Sequence, residues 1–115
     1  LDYRFWCFHG KPALIQVDDK PHTINPFFDL EWNDTGLSYR SWDARRDIPR
    51  PGRLDEMIAV AQALSKGFDF VRVDLFDVKG RVVAGELTFT PVIGQFDFRP
   101  KSWDSHLGEL WSNGA

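Results

Sequence analysis

Hydrophobic and polar side chains alternate from the first residues of the chain: Tyr3, Phe5 and Cys7 fall on one side of "DYRFWCF", and Arg4, Trp6 and Phe8 on the other. That is the period of a β-strand. A His-Gly turn and a second apolar run follow, which predicts a hairpin of Asp2–Phe8 and Ala13–Val17 with Gly10 in the turn. "HTINPFFDLEW" extends the sheet, and Pro26 confines that segment to an edge or a break. From Asn33 to Arg53 the polar, Pro-containing stretch reads as one loop of about twenty residues, long enough to be functional, mobile or completed by a partner.

The pattern then changes period. Leu54, Met57, Ile58, Ala61 and Leu64 recur at helical spacing, Asp55 and Glu56 occupy the first turn, Lys66 the last, and Gly67 supplies the stop. A hairpin, "FVRVDLFDVKGRVVAGELTFTP", comes next, and then a short helix in "KSWDSHLGELW", where Ser102 caps and Trp103, Leu107, Leu110 and Trp111 share a stripe. Strands, loop, helix, two strands and helix predict an α+β fold with a mainly antiparallel sheet, one main helix and a short C-terminal helix.

The second hairpin places polar residues where a hairpin needs none, and their faces depend on the turn. Asp77 suits the first position of a type I turn and Gly80 the left-handed position, so a three-residue loop of Val78, Lys79 and Gly80 is expected. Asp77 then opposes Arg81, Arg72 opposes Glu86, and Asp74 lies diagonal to Glu86. Arg72 and Asp74 share a face with Ala84, Glu86 and Thr88, while Val71, Val73, Leu75, Val83, Leu87 and Phe89 form a core face. A two-residue Lys-Gly turn would split the carboxylates across the sheet.

Two readings of the polar face stand at this point. One is a solvated sheet with an Arg–Glu pair worth about 0.2–1 kcal/mol. The other is a magnesium site, because Mg²⁺ takes one or two carboxylates together with substrate phosphates, and Arg72 beside them suits a phosphate.

Composition narrows the classes. A chain of 115 residues with 43% hydrophobic and 27% charged residues is a globular domain-sized unit. Its net charge of -3 lacks the basic footprint of a nucleic-acid binder. No apolar run approaches a membrane span. Cys7 is the single cysteine, so no disulfide framework exists and a reducing compartment, the cytoplasm, is expected. His9, His22 and His106 lack metal-ligand spacing and read as surface or turn residues. Arg40, Arg45, Arg46 and Arg50 crowd the long loop, which reads as a solvated segment or as a source of contacts to nucleotide phosphates or an acidic substrate, with Arg40 the candidate. Trp6, Trp32, Trp42, Trp103 and Trp111 suit burial better than an exposed sugar platform.

Several separated segments, "DYRFWCFHGKP", "LDEMIAVAQALSKGFDFVRVDLFDVKGRVVAGELTFTP" and "FRPKSWDSHLGEL", resemble in order the TupA-like branch of the ATP-grasp superfamily, associated with cell-surface polysaccharide biosynthesis. The resemblance implies a single partial domain over residues 1–115, the C-terminal lobe of an ATP-grasp domain. It implies ATP and Mg²⁺ as cofactors, and a ligase that activates a carboxylate as an acyl phosphate and passes it to an amine. By the same resemblance Asp74 and Glu86 are metal ligands and Arg72 the catalytic contact to the transferring phosphate. Thr88 stands where many members carry a metal-binding Asn. The nucleotide-holding lysines, glycine-rich flap and hinge belong to an N-terminal lobe expected before Leu1, so the chain alone is expected to be inactive. The rival expectations are a stand-alone β-rich carbohydrate-binding module and a catalytically degenerate copy.

Overall fold

The computed structural model describes residues 1–18, 26–37 and 48–89, with the backbone of 38–39 and 98–99. The expected C-terminal helix, Arg40, Arg45, Arg46, His22, His106, Trp42 and residues 90–97 lie outside the described residues. Within them the order is β1 (Asp2–Phe8), β2 (Lys11–Asp18), β3 (Pro26–Phe28), β4 (Asp34–Tyr39), α1 (Leu54–Ser65), β5 (Phe70–Val78), β6 (Arg81–Thr88) and β7 (Phe98–Arg99). The strands form one seven-stranded sheet in the order β6-β5-β1-β2-β3-β4-β7. Every assigned pair is antiparallel, which confirms the α+β class.

The first hairpin forms, but β2 begins at Lys11 rather than Ala13, and its register to β1 shifts between Trp6 and Cys7. His9 and Gly10 both take positive φ, 51° and 78°, the conformation of a two-residue type I′ turn. Pro26 is not on an edge strand: β3 sits between β2 and β4, and Pro26 occupies its first position, where the missing N–H costs least. The register to β4 shifts between Pro26 and Phe28, so the irregularity expected of a proline falls there instead. The expected long loop is interrupted by β4. Gly36, with φ 77°, interrupts the alternation of "DTGLSY", in which Leu37 is buried.

Helix α1 carries Asp55 and Glu56 in its first turn as expected, but it closes one residue before Lys66, at Ser65. Gly67 at φ 89° turns the chain away, and Phe68 N donates to Ser65 O at 3.2 Å. Leu54, Met57 and Ala61 are fully buried against Tyr3, Phe5, Cys7, Ile15, Val17, Val71, Val73 and Leu75. These residues, one parity of β1, β2 and β5, make the core on the helix side.

The other parity faces away from the helix. Its turn-proximal half is aromatic: Trp6 meets the rings of Phe27 and Phe70 edge-on at 5.6 and 5.7 Å, and Phe8 meets Phe70 at 5.2 Å. Its far half is charged. The boundary is the Trp6–Gln16 contact, where indole Nε1 donates to Oε1 at 3.0 Å.

Candidate metal and phosphate site

The β5–β6 register corrects the expected turn. Val78 opposes Arg81, so the loop is Lys79 and Gly80 alone, at φ 52° and 78°. Asp77 opposes Val82 rather than Arg81, and its side chain instead accepts from Gly80 N at 3.1 Å. A two-residue turn alone would have sent Asp74 and Glu86 to opposite faces. It does not, because the register shifts between Asp74 and Leu75: Leu75 opposes Ala84, Asp74 opposes Glu86, and Gly85 is the extra residue of a β-bulge.

The bulge restores the shared face while changing the partners. Asp74 now lies directly across from Glu86, and Arg72 across from Thr88 rather than Glu86. Ala84 moves to the core side with Leu75, and Val83 leaves it to oppose Phe76, which explains why Val83 is exposed. Val82 packs on the core in its place, while Phe89, expected in that core, is exposed beside Phe68. Gly85 is required by space: a Cβ there would run into the edge of the Phe76 ring.

Neighbouring strands complete the charged half. Arg4 of β1 opposes Asp74 on one side and Gln16 on the other, and Asp2 opposes Asp18. Arg72 Nε and Nη2 donate to Asp74 Oδ1 and Oδ2 at 2.9 and 3.1 Å, a two-pronged ion pair. Arg4 Nη2 donates to Asp18 Oδ2 at 2.7 Å and lies 3.6 Å from Asp2 Oδ2. Its Nε lies 3.8 Å from Asp74 Oδ2.

Asp74 is buried, and that burial pushes its carboxyl above the ordinary carboxylate value. The Arg72 hydrogen bonds and the charges of Arg72 and Arg4 pull it back down, while the Glu86 charge pushes it up. A carboxylate enclosed beside a like charge and two guanidiniums is the kind of environment that functional sites use to tune charge.

The structure therefore brings together Arg72, Asp74, Glu86 and Thr88. Glu86 is exposed and Thr88 half-buried. Arg40 lies outside the described residues, and of the loop arginines Arg50 pairs with Asp55 of the α1 first turn at 3.0 Å. His9 is a turn residue, its Nδ1 3.6 Å from Asp69. Asp2, Arg4 and Asp18 are not among the site residues that the sequence marks out. The alternation of "DYRF" puts Asp2 and Arg4 on one face, but only the pairing of β1 with both β2 and β5 gives that face its neighbours.

The family model described as TupA-like ATPgrasp matches residues 1–112. The chain belongs to the TupA-like ATP-grasp family. No curated protein and no solved structure matches it.

The donor set can be tested against the Mg²⁺ that ATP-grasp chemistry implies. Among the described residues no group of three or more His, Cys, Asp or Glu side chains is arranged to hold a metal ion. Asp74 and Glu86, opposed across one strand pair, supply the two carboxylates that suffice for Mg²⁺ when phosphates and water complete its shell. The oxygen-only chemistry of Asp74, Glu86 and Thr88 fits a hard cation. Both Asp74 oxygens already accept from Arg72, so a metal there takes a lone pair that the fork leaves or displaces one prong of it. No helix among the described residues is long and apolar enough to cross a membrane.

Proposed function

We propose that the charged half of the sheet is the metal- and phosphate-binding side of an ATP-dependent carboxylate–amine ligase serving cell-surface polysaccharide biosynthesis. The observation that carries the reading is the direct opposition of Asp74 and Glu86, with Arg72 locked to Asp74, in a chain of the TupA-like ATP-grasp family. In this reading the chain is a partial domain, the C-terminal lobe, and forms one wall of the cleft, while a nucleotide-holding lobe forms the other.

Bound Mg²⁺ would neutralise phosphate charge as the γ-phosphoryl group moves to the substrate carboxylate. Asp74 and Glu86 orient that charge from two adjacent strands whose pairing fixes their spacing. Arg72 is the catalytic cation: with Nε and Nη2 on Asp74, the other N–H edge of its guanidinium is the donor pair for phosphate oxygens. Thr88, across from Arg72, offers a hydroxyl to the same shell, and Arg40 a second contact to nucleotide phosphate. Enclosure of Asp74 keeps water from fully screening its pair with Arg72, so that pair is worth more than on an open surface, whereas Glu86 is exposed. The acceptor is an amine or glycopolymer group, and the compartment is the cytoplasm, where ATP is available.

The rival reading as a carbohydrate-binding module needs an exposed row of indoles. Of the two indoles among the described residues, Trp6 is buried, and Trp32 stacks on Phe28 at 4.2 Å while its Nε1 donates to Ile48 O. ATP turnover by the full-length protein tests the proposal. Asp74→Asn and Glu86→Gln should each lower turnover by about 100-fold or more. Turnover unchanged in both variants would falsify the assignment and leave the face as structural ion pairs.

A further inference from the structure

Arg72 has two claims on it. In the structure its Nε and Nη2 occupy both oxygens of Asp74, at 2.9 and 3.1 Å, and a phosphate that draws the guanidinium by its other N–H edge competes with those bonds. Any loosening of that pair leaves a buried carboxylate less well held by its main counter-charge, a costly change for a group shielded from water. A second donor at Asp74 offsets that cost.

Arg4 is already placed for it. Its Nε is buried and has no hydrogen-bond partner among the described residues. It stands 3.8 Å from Asp74 Oδ2, on the β1 side, with Glu86 approaching from the β6 side. The rest of the guanidinium is tied down: Nη2 donates to Asp18 Oδ2 at 2.7 Å, and that carboxylate is itself buried. An orphaned donor in a buried site is expensive, and a short approach, from 3.8 Å to about 2.9 Å, would satisfy both it and Asp74.

We infer that Arg4 is a positioning residue for Asp74, taking hold of that carboxylate when a phosphate loosens its pair with Arg72. Asp18 is the anchor that aims Arg4 Nε inward. The hand-over rests on the reading of Asp74 as a metal ligand, and it adds a residue that holds that ligand without touching metal or nucleotide. It also predicts a sign. A cation that acted only by its charge would repel a metal, so removing it would tighten metal binding; a cation that positions a ligand weakens metal binding when it is removed.

Mn²⁺ affinity of the full-length protein in the presence of ATP, read by electron paramagnetic resonance, separates these. Arg4→Gln should raise the Mn²⁺ dissociation constant about tenfold, in the range typical of residues that orient a metal ligand. Arg4→Lys, which cannot span Asp18 and Asp74 with two separate nitrogens, should weaken binding in the same direction. Should Arg4→Gln fail to fold, Asp18→Ala removes the acceptor of Arg4 Nη2 and should weaken Mn²⁺ binding several-fold. Wild-type or tighter affinity in the folded Arg4→Gln protein, or in Asp18→Ala if that is the variant that folds, overturns the inference. Asp74→Asn is the control: if it binds Mn²⁺ as the wild type does, the fault lies with Asp74 as a ligand rather than with Arg4 as its holder.

Discussion

Cys7 and Asp74 are both enclosed by the sheet, on opposite faces, and burial raises the pKa of each. For Cys7 the result is inertness. With its thiol pushed up to about 12, it holds no thiolate at neutral pH and packs as a small apolar side chain. For Asp74 the result is a pH dependence whose sign can be worked out. Burial is the largest influence and lifts the folded-state pKa above the unfolded value of about 3.9, so the folded protein binds that proton more readily than the unfolded chain. The stability that Asp74 contributes is therefore complete below about pH 3.9 and is lost as pH rises through the folded-state value. Chemical denaturation of wild type and Asp74→Asn from about pH 4 to pH 7 should show the wild type losing ground to the variant as pH rises, then a constant difference. A wild type that gains on the variant over that range would mean that the two arginines outweigh burial.

The decisive element is the β5–β6 hairpin, and two features of it cancel. A two-residue turn shifts the parity of β6 by one, and the Gly85 bulge shifts it back before Glu86. Gly85→Ala should press a Cβ into the Phe76 ring, which leaves no room for it. We expect a loss of about 1–3 kcal/mol in denaturant unfolding, the usual range for overpacking. In a Phe76→Ala background most of that loss should disappear, and a full loss persisting there would locate the strain in the backbone of the bulge. The same hairpin marks the limit of what the chain's pattern discloses. Helix α1 and the strand pairs of β1 with β2 and β5 with β6 are legible because each has unbroken periodicity of its own. Turn length is less legible, since Asp77 and Gly80 satisfy a three-residue loop as well as the observed one, in which Lys79 accepts a φ of 52°. The bulge is invisible without the ring that fills the space over Gly85. Likewise β4 takes its strand form from pairing with β3, not from alternation. The shared face of Arg72, Asp74, Glu86 and Thr88 follows from the pattern, but through the wrong turn and with the wrong partners.

At the scale of the whole molecule the sheet divides its work between two faces. Alternate residues of β1 send Tyr3, Phe5 and Cys7 into the helix-side core and Asp2, Arg4 and Trp6 to the opposite face, so each strand serves both stability and site. Backbone pairing is shared by the two faces, whereas side-chain packing is separate. Substitutions confined to one face should therefore add independently to those on the other. Met57 offers the sharper test, because it is fully buried on α1, on the far side of the sheet from Asp74. Met57→Ala leaves a cavity among apolar neighbours and should cost about 2–5 kcal/mol in denaturant unfolding. Mn²⁺ affinity, measured well below the melting transition of the variant, should stay at the wild-type value, since the strand register that opposes Asp74 to Glu86 does not depend on the helix side chains. If metal affinity falls together with stability, the sheet transmits distortion from core to site, and the helix has to be counted among the elements that hold Asp74 in place.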